Sequence, residues 1–161
     1  MVGRRLPMLL TATGLAYLAF CPETERRCIL ELLASRRDEE NTLAREPLAL
    51  DNLLRKTRNR GYGENYMNWN KEERIASIAV PVHGQGRVLG CINLVYVAKA
   101  MTIEQAAARY LPALRRTAGQ IEQAISLPGN QLAREFGPGG DTLLPATGAE
   151  PGRPCEPGVP R

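Results

Sequence analysis

Arg74 is the residue whose type and position best suit ligand chemistry. It opens a strongly apolar segment, and an arginine at the mouth of a strand can present both guanidinium nitrogens to a carboxylate. On residue chemistry alone, a surface ion pair with Glu72 or Glu64 is the better interpretation. The arginine therefore indicates a carboxylate site only if other residues support one.

Two further features are compatible with a small-molecule pocket. Asn93 interrupts the apolar segment 88–97, and a buried amide must bond to backbone groups or to a polar ligand, or it costs about 1–3 kcal/mol. The small residues at 11–14 would let the N–H groups at the start of a helix approach an anion. Close packing of that helix on a sheet explains the small residues equally well.

Catalytic and metal-binding patterns are not found in the sequence. The cysteines form no CxxC pair, and His83, the only histidine, falls in a predicted turn. No phosphate-binding glycine loop, GxSxG or HExxH pattern occurs. We therefore expect no metal, no cofactor and no enzymatic activity.

Two apolar strands must position these residues. Segments 75–82 and 88–97 are apolar enough for a sheet that is covered on both faces, and residues 83–86, HGQG, provide the glycines of a tight turn. Residues 62–73 predict a short edge strand followed by a loop.

Helices account for the remainder of the periodic sequence. Thr11 is expected to cap a helix over 12–20, and Pro22 is expected to be the first residue of the next helix. A charged connection at 35–46 follows, and Pro47 and Gly61 are expected to bound a third helix. Thr102 and Gln105 form a capping-box pattern before a long closing helix. Pro112 predicts a kink or a break in it near 108–112.

Composition places the chain among ordinary globular proteins. Its 161 residues carry a net charge of +4 without a basic stripe, which gives no support to nucleic-acid binding. The apolar N-terminus is interrupted and has no cleavage site, so we expect a cytoplasmic protein without a membrane span. Residues 128–161 contain seven prolines and seven glycines, which predicts a disordered tail after a domain at 1–127.

Several motifs occur in an order that resembles the effector-binding domain of the IclR family of bacterial transcriptional regulators. They are Leu6-Pro7 with TATGLAYLAF and Cys21-Pro22-Glu23, then TRNRGYG, then RIASIAVPVHGQGRVLGCINLVY and the closing helix. Within that family, the phrases CPETER, RGYG, LGCINLVY and AARYLPALR resemble regulators of hydroxyphenylpropionate breakdown. Each motif is weak by itself, whereas four in order are specific.

The resemblance implies an α/β (α+β) GAF-like fold, in which an antiparallel central sheet has helices on both faces and an effector pocket on one. It also implies a homo-oligomer that senses a small molecule, here an aromatic carboxylic acid, with Arg74 as the natural partner of the carboxylate. The pocket positions that it implies are Ala12, Thr13, Glu64 or Asn65, Arg74, Ala76, Asn93 and Val95.

The family's DNA-binding element is a winged helix-turn-helix, for which these 161 residues contain no counterpart. We therefore expect DNA binding only through such a domain, and no specific DNA binding by these residues.

Two alternatives to a ligand-sensing regulator domain remain. One is a GAF-like enzyme that uses a cysteine nucleophile, for which Cys91 is a poor candidate. The other is a truncated fragment that only associates with full-length regulators.

Overall fold

The computed structural model describes residues 6–36, 38–66 and 75–126. It has an α+β fold with an antiparallel central sheet and helices on both faces, which confirms the predicted fold class. The elements, in chain order, are α1 (Ala12–Phe20), α2 (Glu23–Ser35), a 3-10 helix (Glu39–Arg45), α3 (Pro47–Arg60), β1 (Gly63–Tyr66), β2 (Ile75–Gly84), β3 (Arg87–Val97) and α4 (Ile103–Ser126).

The prediction of a disordered tail at 128–161 lies outside the described residues. The described residues all fall within one compact unit of the chain. Within the described ranges, no helix has the length and apolar character needed to cross a membrane.

The sheet has the strand order β1-β2-β3, and both neighbouring pairs are antiparallel. Strands β2 and β3 form the predicted hairpin, but its turn consists only of Gln85 and Gly86, whose φ angles are 53° and 76°. Two consecutive positive φ angles match the twist of the flanking strands. His83 and Gly84 therefore belong to β2, and the placement of His83 in the turn was wrong.

The two faces of the sheet pack against different helices. On one face, Ile78, Val80 and Val82 of β2 contact α4 through Ala106 and Ala118. On the opposite face, Ala79 contacts Ala12 and Ala16 of α1. This alternation follows from the period of two along a strand, and it decides which helix each sheet residue faces.

Strand β2 is buried on both faces, as predicted, but β3 is not. Val95 and Val97 are 54% and 57% exposed, so the expectation of two covered faces was wrong for β3. The two strands differ in position, since β2 lies between β1 and β3, whereas β3 has a strand neighbour on one side only in the described sheet. Ser77 of β2 is buried although it lies directly opposite the exposed Val95, so the exposure belongs to the edge strand.

The helix ends mostly follow the sequence signals. Thr11 caps α1, because its Oγ1 accepts a hydrogen bond of 3.2 Å from the Gly14 N–H. Gly61 ends α3 with a φ of 78°, and Pro22 precedes α2 as its N-cap instead of forming its first residue. The predicted charged connection at 35–46 contains the 3-10 helix.

The closing helix α4 begins with the predicted capping box. The Thr102 N–H donates to Gln105 Oε1 at 2.9 Å, and the Gln105 N–H donates to Thr102 Oγ1 at 3.2 Å. Contrary to the possible break, α4 continues through Pro112 to Ser126. Contacts with the sheet before and after the proline, through Ala106 and Ala118, hold both halves in place.

Candidate functional site

The start of α1 lies directly on the sheet. Ala12 is fully buried against Ala79, and an alanine Cβ at Gly63 would collide with the carbonyl oxygen of Ala12 and lie 2.7 Å from the Ala16 nitrogen. The small residues at the start of α1 thus serve the close packing of helix on sheet. Thr13, in the first turn, is half-buried.

A row of three cross-strand neighbours continues along this face from the start of α1. Asn65 pairs with Ser77, and Ser77 pairs with Val95. Because Gly63 and Ala79 lie two residues away on the same strands, the row shares the face that α1 covers. Asn65 and Ser77 are 6% and 8% exposed, whereas Val95 is open. The row therefore combines an amide, a hydroxyl and an exposed apolar side chain.

Asn93 lies on the same face, since it pairs with Ala79, but its side chain is exposed. The argument that a buried amide at this position requires a partner was therefore wrong. Composition identifies Asn93 as part of a strand, but whether it is buried depends on the position of that strand in the sheet. An exposed amide beside the row remains accessible to a ligand.

Glu64 and Ala76 point to the other face of the sheet. Glu64 pairs with Ile78 across the strands and forms an ion pair with Arg60, and Ala76 is fully buried opposite Tyr96. A shift of one residue along a strand reverses the face, so neither side chain shares the face of Asn65. The structure thus separates these two predicted pocket residues from the others.

The face that α1 covers brings together Ala12, Asn65, Asn93 and Val95, with Thr13 in the first turn of the helix. Arg74 lies outside the described residues. Ser77 was missed in the sequence analysis, although the period of two from Ala79 places it on this face. Its central position in the row makes it the best-placed hydroxyl of the site.

Cys91 and His83 are the cysteine and the histidine on the two long strands of the described sheet. Burial raises the pKa of the Cys91 thiol to about 11, which is the opposite of what a cysteine nucleophile needs. His83 contacts Glu122, whose Oε1 accepts from the His83 backbone N–H at 2.7 Å and lies 3.2 Å from Nδ1. In the described ranges, no three histidine, cysteine or acidic side chains are grouped so that they could hold a metal ion.

Comparison with known proteins assigns this fold and sequence to a family. A family model described as the C-terminal region of the bacterial transcriptional regulator IclR matches residues 1–123. The chain belongs to the IclR family. This confirms the resemblance that the motifs indicated.

Individual proteins are similar to this chain in sequence and in fold. The HTH-type transcriptional regulator KdgR of Escherichia coli K12 is 38% identical over 81 residues, which are 50% of this chain and 30% of KdgR. The crystal structure of the E. coli KdgR C-terminal domain has a TM-score of 0.61 and 29% identity, with 79% of this chain and 76% of that chain covered.

Two more crystal structures of similar proteins extend the comparison. An IclR family regulator from Brucella abortus has a TM-score of 0.59 and 30% identity. The match covers 79% of this chain and 48% of the Brucella chain. A double mutant of the PobR inducer-binding domain from Acinetobacter, in complex with 3-hydroxybenzoic acid, has a TM-score of 0.59 and 25% identity. That comparison covers 76% of this chain and 69% of the PobR chain. The chain thus spans about half of the Brucella regulator.

Proposed function

We propose that this chain is the ligand-sensing part of a cytoplasmic transcriptional regulator of catabolic genes, and that its effector is an aromatic carboxylic acid. The observation that carries the proposal is the row Asn65–Ser77–Val95 beside the start of α1. Support comes from the similar PobR inducer-binding domain, whose crystal structure is a complex with 3-hydroxybenzoic acid.

The row suits the parts of such a ligand. An aromatic ring can pack on the exposed Val95, and a ring hydroxyl can exchange hydrogen bonds with the Ser77 hydroxyl or the Asn65 amide. Asn93, at the open edge of the row, offers a second amide. The carboxylate would pair with Arg74, which immediately precedes β2 in the sequence.

Regulation would follow from a difference in effector affinity between two arrangements of a homo-oligomer. An effector can shift the equilibrium only by its differential affinity for the two states. The shift would be read by a winged helix-turn-helix, and we expect specific DNA binding to require that domain. The described residues offer no cysteine–histidine pair or metal cluster that would favour the alternative of a GAF-like enzyme.

Calorimetric titration of 3-hydroxybenzoate and 3-(3-hydroxyphenyl)propionate into the whole chain tests the proposal. Ser77→Ala is expected to weaken binding about three- to tenfold, because it removes one neutral hydrogen bond. Ser126→Ala removes an exposed hydroxyl at the end of α4 and serves as the matched control. Equal affinity of the Ser77→Ala and Ser126→Ala variants, or no binding of either acid, would contradict the proposal.

A further inference from the structure

An open groove lies between α2 and α3. The end of α3 lies beside the start of α2, since Arg58 and Arg26 both act on the Cys21 thiol. The volume of the groove is about 620 Å³, which lies in the range of small-molecule sites. No residue of α2 is fully buried, so this helix leaves one side of the groove open.

The floor of the groove is apolar and reaches the core. Leu50 and Leu54 of α3 line it and are only 4% and 3% exposed. Leu30 of α2 and Ala44 of the 3-10 helix are partly buried and pack against the same cluster. Leu50 and Leu54 are almost completely covered, so the apolar surface that a ligand can reach belongs to the partly buried Leu30 and Ala44.

Charge is distributed unevenly along the groove. Arg26 and Arg27 lie in the first half of α2, and Arg58 lies in the last turn of α3. Burial raises the pKa of the neighbouring Cys21 thiol, whereas both Arg26 and Arg58 act to lower it, which agrees with their convergence there. With Glu23 included, this end carries a net charge of +2.

The rest of the groove disfavours an anion. Glu31 of α2 and Asp51 of α3 also line the groove, and their carboxylates would repel an anion placed beside them. At the far end, the lining residues Ala34, Ala44 and Pro47 are small and uncharged. The arginine end of the groove is thus complementary to an anionic group, and Leu30, Ala34, Ala44 and Pro47 offer apolar surface away from that end.

We propose that this groove is a second ligand site, which binds an anionic amphiphile such as a medium-chain carboxylate. The carboxylate lies at the Arg26–Arg27–Arg58 end, and the hydrocarbon chain lies over Leu30 towards Ala34 and Ala44. None of these residues belongs to the row at Ser77. The inference is therefore independent of the proposed aromatic-acid effector.

Calorimetric titration of decanoate, kept monomeric, into the whole chain tests this site. Wild-type protein is expected to bind one decanoate and to bind decanol at least tenfold more weakly. The double variant Arg27→Ala/Arg58→Ala should lose about tenfold in affinity, since two exposed charge contacts each contribute a few-fold. Ala34→Trp should abolish binding by filling the uncharged end of the groove.

Two control variants localise the effect. Arg109→Ala/Arg116→Ala makes the same change in net charge on α4, and Ser77→Ala alters the other site, so both should bind decanoate within twofold of wild type. The inference is overturned if wild type does not bind decanoate, or if decanol binds as tightly. It is also overturned if the two double-arginine variants lose affinity equally, or if Ala34→Trp binds normally while circular dichroism shows it folded.

Discussion

Replacement of Gly63 by alanine is expected to destabilise the domain by about 3 kcal/mol, which corresponds to a fall in melting temperature of roughly 10 °C. The added Cβ would collide with the Ala12 carbonyl oxygen and lie 2.7 Å from the Ala16 nitrogen and 3.1 Å from the Ala12 carbonyl carbon. These are backbone atoms of α1, so no side chain can rotate to make room. The helix would have to move away from β1, and effector binding should be lost with it.

Thermal unfolding followed by circular dichroism measures this effect, and Gly119→Ala is the matched control. Gly119 lies within α4, and a Cβ added there would meet no atom within 4 Å, so alanine should stabilise the protein by about 0.5–1 kcal/mol. A melting temperature of Gly63→Ala equal to that of wild type would contradict the close approach of α1 to the sheet.

Replacement of Arg74 by alanine is expected to weaken binding of an aromatic acid about ten- to a hundredfold. A partly desolvated guanidinium–carboxylate pair contributes roughly 1.5–3 kcal/mol through its hydrogen bonds. Arg74→Lys should recover only part of the affinity, because the ammonium group lacks the two-pronged geometry. The measurement is calorimetric titration of 3-hydroxybenzoate, with folding checked by circular dichroism.

A matched control for Arg74 is available on the neighbouring strand. Arg87 opens β3 at the hairpin end of the sheet, away from the start of β2, so Arg87→Ala should bind the acid like wild type. An unchanged affinity in a folded Arg74→Ala protein would remove this residue from the site. A loss of equal size in both variants would indicate a general effect of charge.

Local chemistry allowed much of the fold to be predicted from the sequence. Thr11 and the pair Thr102 and Gln105 cap helices because their side chains replace missing backbone partners within three residues. Gly61 ends α3 because it readily adopts a positive φ. Such signals involve neighbours in the sequence, and so they need no knowledge of tertiary contacts.

Features that depend on distant contacts were less accessible. The exposure of Asn93 and Val95 depends on the position of β3 at an edge of the described sheet, and the continuity of α4 through Pro112 depends on its packing against the sheet. The separation of Glu64 and Ala76 from Asn65 follows from the cross-strand register. The motif resemblance named neighbouring strand positions as candidates, but a single residue decides the face of a strand.

The most direct test of the account is mapping of 3-hydroxybenzoate binding by ¹⁵N NMR on the whole chain. The account predicts that the largest shifts fall on amides of the α1 face of the sheet and the start of α1, at Ala12, Thr13, Asn65, Ser77, Asn93 and Val95. Amides on the α4 side, such as Ala106 and Ala118, should shift little. Shifts concentrated on α4 or in the groove between α2 and α3, or no shifts at saturating acid, would contradict it.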